Sequence, residues 1–519
     1  MSENADSKIS SFSLRSWRNI YLIFSTVIRF VVCLQTSYIH PDEFFQSFQP
    51  IYNDNIPWEF SSDNISRSFV PLYIAYYPII YVGSWLGLSS LTVYFLVKLE
   101  FCLLTWVILE WCLYRVMPAK PERVKASFFV NTSYITLVYQ SHTFSNSLET
   151  CILLPVLYII NDIRGYLESK SRERYSLLRL TLLGVLVSLG VFNRITFVCW
   201  LLLPSIFLLK FFLQHTLLSF VPICSFIAVT VIFILIDTYH FHGSLNGLVI
   251  APLNNILYNT DYNNLAKHGI HPLYTHLLIN YPQIFGPLIF LLYPFGKEYI
   301  NTTMFLSCVS GLLSLSLIPH QELRFLIPAV PLACSCISLK RSRKLSSLII
   351  KLWIVFNAIM ILFMGVLHQG GVVPAMSFLD NELGGDTTAL LFWRTYKPPT
   401  WLLKDHLGSC AYFNRDEDNL LDLDYASIER DYSVDFMGFD TDGFVKTVSR
   451  IVSTNSDGRK VYLVAPFNAM LNLSRNEKVE FNFEELWSTS WHYDMDHFEY
   501  DKFGYRTFIP GIGVYCLTR

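Results

Sequence analysis

Long apolar stretches constrain the fold of this chain more than any other feature of its sequence. A helix needs roughly 20 mostly apolar residues to cross a lipid bilayer, and about eleven stretches approach that length. They lie at about 20–38, 90–114, 126–141, 147–162, 177–193, 196–213, 218–237, 284–298, 302–318, 325–339 and 348–367. Only 15% of the residues are charged, against about a quarter in soluble proteins. The sequence therefore predicts an α-helical polytopic membrane protein.

Basic residues set the predicted orientation of these spans. Lys8, Arg15 and Arg18 precede the first span, and basic clusters follow residues 114, 162 and 339. Loops rich in Lys and Arg stay on the cytoplasmic side. Residues 1–19 are then a cytoplasmic N-terminus, and residues 20–367 form the membrane domain. The loops 39–89 and 238–283 lie on the opposite side, with 69–83 along the membrane surface.

The composition changes abruptly at His368, where the last apolar stretch has ended. Asp and Glu become frequent from about 380, and short strand-like runs appear at 461–464 and 514–517. At about 150 residues the tail is large enough to bury its own core. We predict that 368–519 is a separate α/β or α+β domain on the non-cytoplasmic side.

Two kinds of modification are predicted on that side of the membrane. Cys410 and Cys516 are the two cysteines of the tail, and an oxidising compartment would allow a disulfide between them. Asn64 and Asn472 begin N-x-Ser sequons and are glycosylation candidates.

An acidic motif at residues 40–46 directly follows the first span. Pro41 suits the start of a helix, and Asp42 and Glu43 would be stabilised by the helix dipole in its first turn. Gln46 lies one turn after Asp42, on the same face. The pattern predicts a short interfacial helix that holds ionised carboxylates beside the bilayer. Such carboxylates are often functional, although they could also simply solvate the start of a loop.

Other polar motifs gather on the same predicted side of the membrane. They include 140–149, Arg194 and 320–325. This one-sided clustering suits a site for a lipid-linked anionic donor and a polar acceptor. Structural alternatives remain open: Arg194 could extend to the membrane surface, Glu322 and Arg324 could form a local ion pair, and His142 could be a structural hydrogen-bonding residue.

The motifs resemble those of a known enzyme family. The run His40-Pro41-Asp42-Glu43-Phe44-Phe45-Gln46, followed by Pro57-Trp58-Glu59-Phe60, is similar to the first lumenal loop of glycosyltransferase family 22. Members of that family are dolichol-phosphate-mannose-dependent mannosyltransferases of the endoplasmic reticulum. The run at 320–326 resembles the family's second signature. Blocks at 139–147, 192–197, 251–255, 368–372 and 393–396 are similar to members that act on GPI-anchor precursors.

The resemblance implies a GT-C fold in the endoplasmic reticulum membrane, with the active site and the tail in the lumen. It implies inverting transfer of mannose from dolichol phosphate mannose to a GPI precursor glycolipid, as an α-1,2-linked fourth mannose. Membrane lipids are the other expected contacts. It implies no cofactor, no metal and no nucleic acid.

The resemblance also suggests roles for individual residues. Asp42 matches the family's catalytic acidic position and is the predicted base, with Glu43 as the alternative. Arg324, Arg194 and His320, in that order, are predicted to bind the leaving phosphate, which needs cationic or donor contacts. The predicted substrate-binding residues are His40, Gln46, Trp58, Glu59, His142, Asn146, Glu322, Asn254 and His368.

Two alternative functions stay open. A related family member could add the third GPI mannose or a mannose of the N-glycan precursor. A lipid or solute transporter is a different class, but transporters place polar groups at the bilayer midplane between repeated halves. Here the polar motifs lie at one face, and the sequence contains no visible internal repeat.

Overall fold

A computed structural model describes most of the chain and divides it into two compact units. The described residues are 23–53, 55–61, 65–169, 175–267, 269–292, 299–339, 343–383, 387–403, 410–415, 418–454 and 458–519. The first unit contains the described parts of the chain up to Cys33 and of Pro57–Pro78 and Val97–Ile359. The second contains those of Leu34–Ile56, Ile79–Leu96 and Met360–Arg519.

Apolar helices dominate the described residues before position 368. Four are long and apolar enough to cross a membrane: Ser90–Val116, Ser145–Ser169, Thr216–His242 and Lys344–Leu367. Shorter apolar helices are Ile23–Cys33, Leu177–Asn193, Ser205–Gln214, His276–Leu292 and Thr303–Ser316. Only 17% of the apolar window of Thr216–His242 is buried. So large an exposed apolar surface is typical of a helix that contacts lipid, which agrees with the predicted membrane-protein class.

The prediction of a single spanning helix at 126–141 is wrong. The chain forms the helix Lys120–Asn131, the short helix Tyr134–Leu137 and a 3₁₀ turn at Tyr139–Ser141. The Asn131 side chain points inward, where it accepts a hydrogen bond from Arg29 and donates one to Glu110. A hydropathy average does not detect a break that is held by such a buried polar network.

Prolines interrupt two further predicted spans, 196–213 and 325–339. In the first, a 3₁₀ helix Ile195–Trp200 precedes the helix Ser205–Gln214, and Pro204 stands at the N-cap of that second helix. In the second, the 3₁₀ helix Leu323–Leu326 is followed by Ala329–Cys334, with Pro328 at the N-cap. Proline suits the beginning of a helix and disrupts its interior.

The region predicted as a long loop at 238–283 is largely helical. The preceding helix continues to His242, and Ala251–Thr260, Tyr262–Lys267 and the π-helix His276–Asn280 follow. Other short helices of the first unit are Trp58–Phe60, Val70–Ala75, Tyr281–Phe285, Gly286–Leu288 and Ile289–Leu292. The helix Tyr77–Trp85 contains the boundary between the two units.

In the second unit, the acidic motif and part of the tail share an aromatic core. The motif forms the one-turn helix Asp42–Phe45, followed by Phe48–Tyr52. The Phe48 ring stacks on Trp401 at 4.3 Å, and the Tyr52 ring lies 5.4 Å from the same indole. Stacked aromatic pairs add about 0.5–1.5 kcal/mol each beyond their buried area, so this stack stabilises the position of the motif.

The tail forms a mixed six-stranded sheet. Its strands are β1 (Thr388–Phe392), β2 (Ala411–Asn414), β3 (Tyr432–Asp435), β4 (Lys460–Pro466), β5 (Asn482–Thr489) and β6 (Ile512–Thr518). Their order is β2-β3-β1-β4-β6-β5. The first four run parallel, β6 is antiparallel to β4, and β5 is antiparallel to β6. The predicted α/β character is confirmed, and both predicted strand runs lie in neighbouring strands, β4 and β6.

Helices cover this sheet and complete its core. Thr441–Thr454 connects β3 to β4 and packs Phe444 face to face on Trp393 at 4.0 Å. The other helical segments of the second unit are Phe363–Leu367, Val372–Glu382, Thr400–Leu403, Tyr425–Ser427, Phe467–Leu473, Tyr500–Phe503 and Gly504–Phe508.

The hypothesis of a disulfide between Cys410 and Cys516 is wrong in this fold, in which the two cysteines are not bonded to each other. Cys410 precedes β2, whereas Cys516 lies in β6, four strand positions away. At about 4.8 Å per strand, the two are about 19 Å apart, and a disulfide requires Cα atoms within about 7 Å. We expect peptide mapping without reductant to recover the two cysteines as separate alkylated peptides. A cross-linked peptide pair would contradict the strand order.

The structure also argues against one predicted glycosylation site. Asn472 lies in the helix Phe467–Leu473, is 7% exposed, and donates its side-chain N–H to Glu499. A glycan on that nitrogen would have to replace this partly buried hydrogen bond. The other candidate, Asn64, lies outside the described residues.

Candidate active site

The predicted site residues divide between the two units. The second unit contains the acidic motif, with His40, Asp42, Glu43 and Gln46, and also His368. The first unit contains the predicted arginines and the remaining predicted substrate residues: Trp58, Glu59, His142, Asn146, Arg194, Asn254, His320, Glu322 and Arg324.

In the second unit, Asp42 is placed at the beginning of a single helical turn. Pro41 adopts a helical conformation directly before it, as expected for a proline at a helix start. The Asp42 N–H donates to Nδ1 of His40 at 3.2 Å, and Gln46 donates from Nε2 to Oδ2 of Asp42 at 2.5 Å. The Asp42 side chain is 21% exposed. It is therefore an oriented and solvent-accessible carboxylate.

The neighbouring carboxylate of Glu43 has a different environment. Its residue is 0% exposed, and its Oε2 accepts a hydrogen bond from the Ile39 N–H at 3.3 Å. Ser47 donates its hydroxyl to the Glu43 carbonyl oxygen. These buried hydrogen bonds stabilise the helical turn. Of the two adjacent acids, Asp42 is the one that solvent and a substrate can reach.

His368 and its neighbours fasten the acidic motif to the tail. The Tyr38 N–H donates to the His368 carbonyl at 3.1 Å, and the Tyr38 hydroxyl donates to the Lys397 carbonyl at 3.0 Å. Nε2 of His368 lies 3.3 Å from the Ile39 carbonyl oxygen. Burial lowers the pKa of His368, which favours the neutral imidazole. These contacts show that His368 positions the acidic motif, and its predicted contact with substrate stays a prediction.

In the first unit, three arginines from distant parts of the sequence converge. Arg67 and Arg194 both donate to the hydroxyl of Ser145, at 3.4 and 2.9 Å. The guanidinium carbons of Arg194 and Arg324 lie 4.9 and 5.3 Å from the centre of the Phe325 ring. We refer to Arg67, Arg194 and Arg324 as the arginine cluster.

Each member of the arginine cluster is paired with a glutamate. Arg67 contacts Glu59 at 3.1 Å, Arg194 lies 3.9 Å from Glu149, and Arg324 pairs with Glu322. Asn146 donates to the same Glu149 carboxylate at 3.2 Å. The glutamates orient the guanidinium groups, and the planar five-donor geometry of arginine suits a phosphate.

Burial and neighbouring positive charges both act on the pKa of Arg194. Its side chain is only 8% exposed. Burial lowers its pKa to about 10, the charges of Arg67 and Arg324 lower it as well, and the charge of Glu149 opposes them. Like charges held together out of water are destabilised, and an anionic ligand would relieve that repulsion.

His320 adjoins the cluster through Glu322. Its Nε2 lies 2.8 Å from a Glu322 carboxylate oxygen, and its Nδ1 lies 3.0 Å from the Gly269 carbonyl oxygen. Burial alone would lower the pKa of His320, but the hydrogen bond and the charge of Glu322 outweigh it and raise the pKa. The raised pKa favours the protonated imidazole, which would add positive charge beside Arg324.

The other predicted substrate residues of the first unit have structural contacts. His142 is fully buried, with its ring 6.3 Å from that of Phe144. Trp58 stacks on Tyr258 at 4.4 Å, and Asn254 donates to the Ile65 carbonyl at 2.8 Å.

The sequence analysis gave no individual role to Arg67, Ser145 or Glu149, although the polar motif 140–149 contains the last two. Ser145 accepts from arginines 78 and 49 positions away in the sequence. One available signal was that Arg67 and Glu149 both fall on the predicted side of the membrane where the other polar motifs gather. Without the fold, nothing distinguishes them from surface charges.

Comparisons with known proteins agree with this architecture. The model of the Alg9-like mannosyltransferase family matches residues 20–404. GPI mannosyltransferase 4 of Candida albicans is 42% identical over 97% of this chain and 99% of its own length. The Debaryomyces hansenii protein of that name is 40% identical over 97% and 98%, and the Saccharomyces cerevisiae one is 33% identical over 96% and 98%.

Among solved structures, ArnT from Cupriavidus metallidurans has a similar fold. Its complex with undecaprenyl phosphate superposes with a TM-score of 0.53 at 8% identity, covering 96% of this chain and 98% of that one. The apo form gives 0.54 at 10% identity, covering 97% and 98%. The fold is therefore the GT-C fold of membrane glycosyltransferases, as predicted. The chain belongs to the Alg9-like mannosyltransferase family, and it is a mannosyltransferase.

Proposed function

We propose that this mannosyltransferase transfers mannose from dolichol phosphate mannose to the third mannose of a GPI precursor, forming an α-1,2 linkage. The observation that carries the proposal is the convergence of Arg67, Arg194 and Arg324 in a membrane protein, because a lipid phosphate needs such contacts when it leaves. The names of the relatives support the GPI precursor as the acceptor. The undecaprenyl phosphate bound by ArnT, which shares the fold, agrees with a lipid-phosphate donor.

The reaction needs one base and one leaving-group site. The acceptor hydroxyl oxygen attacks C1 of the donor mannose, and its proton passes to the Asp42 carboxylate. The new C1–O bond forms as the bond from C1 to the phosphate oxygen breaks, so a β-linked donor gives an α-linked product. The bonding electrons leave with dolichyl phosphate, whose charge the arginine cluster stabilises. This assignment uses no metal or cofactor.

Accessibility supports Asp42 over Glu43 as the base. A base must reach the hydroxyl proton directly or through one water molecule, and the Glu43 carboxylate is buried against its own turn. His40 and Gln46 contact Asp42 and would orient it. We place the reaction in the endoplasmic reticulum membrane, with the reacting groups on the lumenal side.

A panel of acceptors tests the proposed function. The purified protein would receive labelled dolichol phosphate mannose with a trimannosyl GPI, a dimannosyl GPI or an N-glycan precursor. We expect labelled product only from the trimannosyl GPI, and release of the label by an α-1,2-specific mannosidase. Preferential transfer to either other acceptor would overturn the choice of acceptor, and label resistant to the mannosidase would overturn the linkage.

The raised pKa of His320 predicts a pH dependence of donor use. The protonated imidazole favours phosphate, so kcat/KM for the donor should fall as pH rises through that pKa, above the ordinary 6.5. The substitution Glu322→Gln removes the negative charge that raises the pKa of His320. Burial and the charge of Arg324 still lower that pKa. The fall should therefore shift to lower pH.

A pH profile of kcat/KM for both proteins measures this shift. Glu168→Gln is the matched control, because Glu168 pairs with Arg164 in a largely exposed ion pair. Superimposable profiles for the wild type and Glu322→Gln would contradict the role of His320.

A further inference from the structure

The helix Ala251–Thr260 has two chemically different faces. Leu253, Ile256 and Leu257 share one face, at helical spacings of three and four, and are 46%, 43% and 61% exposed. We call these three side chains the outer face. Asn254 and Tyr258, one turn apart, lie on the other side of the helix.

The Asn254–Tyr258 side holds the loop that contributes Arg67. Asn254 donates to the Ile65 carbonyl at 2.8 Å, and the Tyr258 ring stacks on Trp58 at 4.4 Å. The loop between these two contacts includes Glu59, the partner of Arg67. The helix is thus attached directly to the segment that supplies one guanidinium of the arginine cluster.

This helix begins beside the end of a predicted membrane span. The Val249 N–H donates to the Thr238 hydroxyl at 3.0 Å, within the last turns of the spanning helix Thr216–His242. Between Asp237 and Asp261 the sequence contains no Asp, Glu, Lys or Arg. Helices that bind only a membrane surface usually have a basic polar face, whereas this helix contains no Lys or Arg, and its Asn254 and Tyr258 contact protein.

We propose that the outer face binds the polyisoprenoid chain of the lipid phosphate whose headgroup the arginine cluster holds. This inference rests on the proposed function. When a lipid phosphate binds at Arg67, its hydrocarbon chain must extend from that polar site into the bilayer. This helix connects the Arg67 loop to an uncharged apolar surface. Ten helical residues extend about 15 Å, enough for the first isoprene units.

Donor chain length tests the proposal. The double variant Leu253→Ser/Leu257→Ser would be assayed with dolichol phosphate mannose and with a mannosyl phosphate carrying a four-carbon chain. We expect KM for the long-chain donor to rise about tenfold, as for the loss of part of two leucine contacts. KM for the short-chain donor and kcat for both should change less than twofold.

A matched control is Leu217→Ser. Leu217 is 83% exposed near the beginning of the spanning helix, about 20 residues before Thr238, which contacts Val249. Helical residues that far apart are separated by about 30 Å. This variant should leave both KM values unchanged.

Other outcomes overturn the inference. An equal rise in KM for both donors would mean that the helix acts only through the Arg67 loop. Unchanged KM for both would mean that the outer face contacts only bulk lipid.

A second readout separates this inference from the proposed function. A polyprenyl phosphate with a photoreactive diazirine on its chain should label the peptide that contains Ala251–Thr260, even if the wild type transfers no mannose. Excess unlabelled polyprenyl phosphate should suppress the labelling. Absence of label from that peptide would contradict the inference, whereas absence of transfer with label present would contradict only the proposed function.

Discussion

Asp42→Asn should lower kcat for mannosyl transfer by about 10²- to 10⁴-fold, the contribution of a positioned general base. The amide cannot take up the acceptor proton, but it fits the same position and still accepts a hydrogen bond from Gln46. KM for the donor should stay close to that of the wild type, because the lipid phosphate is assigned to the arginine cluster. Initial rates with detergent-purified protein at matched concentrations measure both constants.

Two variants control for folding and for general charge effects. Asp501→Asn removes an exposed carboxylate in the same unit and should retain full activity. Glu43→Gln keeps an acceptor for the Ile39 N–H and should reduce kcat far less than Asp42→Asn does. If Asp42→Asn kept more than about a tenth of wild-type kcat, the assignment of the base would be wrong.

Arg194→Gln should lower kcat/KM for the donor by about 10²- to 10³-fold, the effect of removing one strong contact to a developing charge. Arg194 connects the cluster, since it donates to Ser145 and lies over Phe325. Its loss would also leave the buried Glu149 without its cation, and an uncompensated buried charge destabilises a fold.

The double variant Arg194→Gln/Glu149→Gln separates the two effects. It removes the pair together, so thermal stability should recover while kcat/KM stays low. Arg179→Gln is the control, because Arg179 forms a partly exposed pair with Asp162 in the same unit. Recovery of donor kcat/KM in the double variant would show that Arg194 serves only the fold.

Hydropathy predicted the membrane class but not the continuity of every span. The stretches 177–193 and 218–237 lie in helices with similar bounds because they are uniformly apolar. The stretch 126–141 breaks because Asn131 bonds to Arg29, about a hundred residues earlier. Tertiary packing brings this partner to Asn131, and no local sequence pattern around residue 131 indicates it.

The local conformation of the acidic motif was predicted from the sequence, whereas its catalytic role stays a prediction. Helix-start chemistry at Pro41 and Asp42 follows from local rules, and the structure places a helical turn there. Which acid faces solvent depends on packing against the tail, including the Tyr38–His368 contact. The composition change at 368 did not predict that this motif shares a compact unit with the tail.

The central claim is that Asp42 acts as the general base and that the arginine cluster binds the lipid phosphate. Measuring donor binding to three proteins tests this claim most directly. Equilibrium binding of labelled dolichol phosphate mannose would be measured for the wild type, Asp42→Asn and Arg194→Gln/Glu149→Gln, each confirmed as folded. We predict wild-type affinity without transfer for Asp42→Asn, and strongly reduced affinity for the double variant. Lost binding in Asp42→Asn, or wild-type affinity in the double variant, would contradict the account.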